Sequence, residues 1–115
     1  MRRLLALETV APLIAVGAIG FAAASGWSSS RPASKLVELT GIAFQPPSLT
    51  VSVGDTVVWL NRDLVPHTAT ATGKGGWDTG SIAVGDSARF VPKKAGQWQY
   101  MCTFHPTMKA TLTVE

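Results

Sequence analysis

Four side chains in this 115-residue chain could share one piece of chemistry. Cys102, His105 and Met108 stand at C-x2-H-x2-M spacing, and His67 lies 35 residues upstream of the cysteine. The set contains the chain's only cysteine and both of its histidines. Two imidazoles and a thiolate in a plane, with a weak axial thioether, are what a mononuclear type 1 copper site takes. Soft sulfur mixed with borderline nitrogen tolerates both Cu(I) and Cu(II). Three donors from one short segment converge only if the chain turns sharply around a point, and Pro106 stiffens that turn. His67, placed after Pro66 at a strand edge, would close the set from elsewhere. Each residue alone has a plainer explanation. A lone Cys is usually a small core residue, and a lone Met usually fills gaps. A lone His usually has a satisfied hydrogen bond. Their joint occurrence favours copper. Structural zinc sites take Cys and His but not Met.

The elements that must hold these donors are strands. From Lys35 onward, runs rich in Val, Thr, Trp, Leu, Phe and Tyr are divided by Gly, Pro, Asp and Asn. The expected runs are Lys35–Phe44, Ser48–Val53, Asp55–Asn61, Thr68–Ala71, Asp86–Pro92, Gln97–Cys102 and Thr111–Glu115. No useful helical period appears after residue 35. Trp98, Tyr100 and Cys102 share one strand face, and Leu112 and Val114 repeat that alternation. About seven such strands predict an all-β, two-sheet antiparallel sandwich, with the 102–108 segment as a loop between two of them. Trp59, Trp98, Tyr100 and Phe90 are assigned to its core. Trp77 sits in a Gly-rich stretch, and the sequence leaves its exposure open.

The first residues read differently. Met1-Arg2-Arg3 is a short basic start, Val10 to Ala24 is apolar, and Ala22-Ala23-Ala24 offers an A-x-A cleavage site. Arg2-Arg3 before Leu4-Leu5 resembles a twin-arginine signal, although the start is very short for one. Residues 1–26 are therefore read as a signal peptide or an N-terminal membrane anchor helix. Residues 27–34 are read as a flexible spacer and 35–115 as the folded domain. The expected location is periplasmic or otherwise exported, with residues 4–24 as the tether if the segment is retained. An unpaired thiol in an oxidising compartment calls for an occupant, and a metal is one. The whole chain carries +3, whereas seven Lys/Arg and six Asp/Glu from Lys35 onward leave only +1. No clustered basic surface of the nucleic-acid-binding kind is present.

The segment from Leu36 to Glu115 resembles the small blue-copper proteins, the cupredoxins, and most of all amicyanin with its plastocyanin and pseudoazurin relatives. Two blocks carry the resemblance. One is Val53-Gly54-Asp55-Thr56-Val57-Val58-Trp59-Leu60-Asn61-Arg62 running to Pro66-His67. The other runs from Ala95-Gly96 through Tyr100 to Cys102-Thr103-Phe104-His105-Pro106-Thr107-Met108. The short C-x2-H-x2-M loop is of the amicyanin type. The resemblance implies an eight-stranded Greek-key sandwich with one copper ion at one end, held by His67, Cys102, His105 and Met108. It implies transient docking with a redox donor and acceptor. It also implies that one edge of the His105 ring reaches the surface, inside a rim of Leu64, Val65, Pro66, Phe104, Pro106 and Thr107. Two departures stand out. Thr68 replaces the Asn that usually follows the first His, though its backbone N–H could still donate to the Cys102 sulfur. The stretch from Ala69 to Gly85 is Gly-rich and shorter than the family pattern.

The expected function is a monomeric electron carrier, not an enzyme. Copper oxidases and reductases need further histidines, and both histidines here are used. The alternative is a copper carrier or chaperone, which would favour an open, exchangeable site. A metal-free adhesion-type sandwich would have no reason to keep the four donors together.

Overall fold

The computed structural model describes residues 31–115 together with Pro12, Gly17 and Gly20. The expected signal or anchor helix lies outside the described residues. Eight strands follow in order: β1 Ser34–Leu39, β2 Phe44–Gln45, β3 Ser48–Val51, β4 Thr56–Asn61, β5 Thr70–Ala71, β6 Ser87–Phe90, β7 Gly96–Cys102 and β8 His105–Val114. They form two four-stranded sheets, β2-β1-β4-β6 and β3-β8-β7-β5. This is the expected all-β sandwich.

Strand direction departs from the expectation. The sheets are mixed, because β1 pairs parallel with β4 and β3 pairs parallel with β8. Between β1 and β4 the chain visits β2 in the same sheet and β3 in the other, so it returns to β1 running the same way. Alternation with a period of two identifies the faces of a strand and says nothing of its direction. The expected strand Lys35–Phe44 is also broken in two. Thr40 N–H closes a turn on Ala43 C=O at 3.0 Å, with Gly41 and Ile42 at positive φ of 63° and 55°.

Burial follows the alternation closely. In β4, Val57, Trp59 and Asn61 face inward, and in β8 so do Met108, Ala110, Leu112 and Val114. Asp55 fixes the turn before β4. Its carboxylate accepts the N–H groups of Ser52 at 2.9 Å and Ala33 at 2.8 Å. Those backbone hydrogen bonds hold the carboxyl below its ordinary range.

An aromatic stack joins the two sheets. Phe90, Trp77 and Trp59 lie nearly parallel at 4.9 and 5.6 Å, and Tyr100 meets Trp59 edge-on at 5.7 Å. Trp77, left open by the sequence, is a core residue. Trp59 and Tyr100 are buried as expected, while Phe90 and Trp98 pack against the core only partly covered. Burial pushes the Tyr100 hydroxyl up to about 12. The Gly-rich stretch lies this close because Gly76 has no side chain. A Cβ there would stand 2.3 Å from that of Ala71.

Candidate metal centre

The site lies at one end of the sandwich, where β4 and β7 finish and β8 begins. Strand β4 delivers its last residue, Asn61, to the inner face, where it is buried. Its amide Nδ2 donates to Val65 C=O at 2.8 Å and to Ile82 C=O at 3.0 Å. Its Oδ1 accepts the Asp63 N–H at 3.0 Å. A polar side chain on an apolar face costs stability unless it is paired, and Asn61 uses its pairing to bend the chain from Arg62 to Pro66. His67 then bridges to Ile82 through two backbone hydrogen bonds, of 3.2 and 2.7 Å. Its ring is fully buried.

The second part of the site is a tight hairpin. Cys102 ends β7 and pairs directly with His105, which opens β8, with a register irregularity at Met101/Cys102. The expected 102–108 loop is therefore a two-residue turn, Thr103-Phe104, followed by strand. Alternation along β8 turns Met108 inward, where it is 2% exposed, and leaves Pro106 and Thr107 outside.

These elements bring three of the four expected donors together. Cys102 Sγ stands 3.6 Å from His67 Nδ1 and 3.6 Å from His105 Nδ1, and the three atoms lie within 4.8 Å of one another. Two donors at ~2.0 and ~2.3 Å from a shared ion in a trigonal plane are themselves ~3.7 Å apart. The donor set and its spacing fit a metal. Met108 is buried in the same part of β8, directly after Thr107 of the rim.

The sulfur is also prepared from the side. Thr68 N–H donates to Cys102 Sγ at 3.3 Å, as the sequence suggested it could. The Thr68 hydroxyl accepts the Thr103 N–H at 2.9 Å and lies 3.1 Å from the Thr103 hydroxyl. Thr68 thus braces the hairpin with its own hydroxyl. The family pattern places Asn there.

Sequence reasoning missed Asn61 and Asp63. Asp63 Oδ2 lies 2.7 Å from His67 Nε2 and also accepts the Ile42 N–H at 2.9 Å, while Oδ1 accepts the Gly41 N–H at 2.7 Å. Partial burial pushes the Asp63 carboxyl up, but hydrogen bonds from Ile42, His67 and Gly41 outweigh it and leave the group below its ordinary range. A signal existed for both residues. Asn61 shares the inward parity of Val57 and Trp59, and Asp63 precedes His67 by four positions.

The six rim residues are all exposed. Leu64 is 92% exposed and Phe104 51%, and His105 between the two loops is half-buried.

A family model described as copper binding proteins of the plastocyanin/azurin family matches residues 33–115. The chain belongs to that family. Its cofactor is copper, in agreement with the donor set. The chain is 31% identical over 84 residues to amicyanin of Paracoccus denitrificans, covering 70% of this chain and 64% of that protein. Over 119 aligned positions it is 27% identical to amicyanin-alpha of Methylorubrum extorquens, covering both in full. The chain thus spans just under two thirds of the Paracoccus protein's length. A solved structure of an amicyanin variant in the Cu(I) form superposes with a TM-score of 0.67 at 28% identity, covering 71% of this chain and 82% of that one.

Proposed function

We propose that this cupredoxin binds one type 1 copper ion through His67, Cys102, His105 and Met108 and carries single electrons between a redox donor and an acceptor. The observation that carries the reading is the convergence of Sγ and two Nδ1 atoms within 4.8 Å, beneath a half-buried histidine edge. Copper held there supplies a one-electron Cu(I)/Cu(II) couple. The protein's part is to keep the donors still. His67 is fixed by the Ile82 bridge, and Cys102 and His105 by their cross-strand register. The Thr68 N–H stabilises negative charge on the sulfur. Donors that are fixed in advance reorganise little, and low reorganisation is what rapid electron exchange needs.

His105 is the exit. Its neighbours Leu64, Val65, Pro66, Phe104, Pro106 and Thr107 form an apolar rim suited to brief docking, since transient redox interfaces are small. A copper carrier would favour a more open site, and the burial of His67, Cys102 and Met108 counts against that alternative. The apolar run before residue 25 and the basic start support export to a periplasm or its equivalent, with residues 1–26 removed or kept as a tether. The folded domain, 35–115, works as a monomer.

The deciding measurement is the absorption spectrum of the purified chain with Cu(II), repeated with Cys102→Ser. An intense band near ~600 nm that disappears in the variant confirms the thiolate–copper bond. A colourless protein, or weak copper binding indifferent to the substitution, overturns the reading.

A further inference from the structure

His67 is the more deeply placed of the two histidines, and among the described residues its far nitrogen has one side-chain partner. Nε2 is buried and faces Asp63 Oδ2 at 2.7 Å, while Nδ1 faces the Cys102 sulfur. A buried imidazole whose Nε2–H is given to a carboxylate keeps its Nδ1 lone pair free. The hydrogen bond therefore selects the tautomer that the donor set requires.

Asp63 is itself held from three directions. Its N–H is taken by Asn61 Oδ1, and its two carboxylate oxygens receive the N–H groups of Gly41 and Ile42. The 41–42 turn is built for this. Two successive residues sit in the left-handed region, one of them a β-branched isoleucine at φ 55°. That is a conformation such residues rarely adopt. It aims adjacent amides at one carboxylate. The result is a relay from two backbone dipoles, through an anion, to the ring that would touch the metal.

We propose that Asp63 is a positioning residue that fixes the tautomer and orientation of His67 and lowers the reduction potential of the site. The inference rests on copper binding as proposed above. A negative charge on the far side of a ligand imidazole raises its basicity and favours the more highly charged Cu(II). The competing account is that Asp63 only staples the 41–42 turn to the first ligand loop. That account predicts an effect on stability and none on potential.

Asp63→Asn keeps the shape and removes the charge. Its potential rises, with the preference for Cu(I) over Cu(II) growing about tenfold, or ~59 mV for a one-electron couple. Ile42→Gly relieves the turn without touching the charge and leaves the potential at the native value. In the native, metal-free chain, 15N NMR of His67 shows the neutral ring protonated at Nε2. This readout does not depend on either variant folding. An unchanged potential in a folded, blue Asp63→Asn protein overturns the proposal. So does an Nδ1-protonated His67 in the native chain. A native chain that takes up no copper overturns the copper assignment and the effect on potential with it. The tautomer, read without metal, then stands or falls alone.

Discussion

The two segments that converge on the candidate copper site are held by different means. The first, from Asn61 to Thr68, is held mainly by side chains: Asn61 and Asp63 together reach Val65, Ile82, His67, Gly41 and Ile42. The second, from Cys102 to Met108, is held by a backbone hairpin whose register pairs Cys102 with His105 directly. One segment buries its histidine completely and the other leaves its histidine half-exposed. Rigidity and access are thus divided between the two sides of one site. The buried side keeps its geometry through long-range hydrogen bonds, which frees the hairpin side to present an apolar surface.

The largest break in this division is expected at Asn61. Asn61→Ala orphans the Val65 carbonyl and the Asp63 N–H, and leaves the Ile82 carbonyl with the His67 N–H alone. It should cost about 2–3 kcal/mol in the metal-free protein, measured by denaturant unfolding. A cost near zero would mean that the first loop keeps its shape without its side-chain frame. A smaller effect is expected where the two segments meet. Thr68→Val retains the N–H to the sulfur but leaves the Thr103 N–H without its acceptor, costing about 1 kcal/mol. The blue band should persist with a shifted potential, and voltammetry beside thermal unfolding checks both. The smallest stability effect belongs to the exposed rim. Leu64→Glu should change unfolding free energy by less than ~0.5 kcal/mol and leave the spectrum intact. It should still slow electron self-exchange between Cu(I) and Cu(II) copies, read from NMR line widths. Unaltered exchange would move the docking surface away from Leu64.

How much of this was legible in the sequence follows the same division. The hairpin donors could be read because they are contiguous and chemically unusual together. His67 could be read because it ends a run of strand and turn residues that the family pattern also has. Asn61 and Asp63 were not read, because their partners lie between 2 and 22 positions away and become neighbours only when the turn folds. Strand directions were also hidden, since alternation reports faces alone. Trp77 was undecidable for a local reason. Its burial depends on Gly76 admitting the loop against β5, which is a property of two surfaces meeting. The substitution of Thr for Asn after the first histidine implied a different side-chain brace. The structure supplies the brace through a hydroxyl one bond shorter in reach, directed at Thr103.

That threonine has a further consequence. Thr68 lies on the path between the end of β4 in one sheet and β5 in the other, and it grips both the sulfur of Cys102 and the amide of Thr103. Thr70 pairs with Met101 in the same sheet, so Thr68 extends the β5–β7 pairing by one step, and any fraying of β5 from β7 must stretch these two bonds beside the sulfur. Colour in the copper-loaded protein would then respond to the opening of that strand pair, and the chromophore would report local integrity as well as oxidation state.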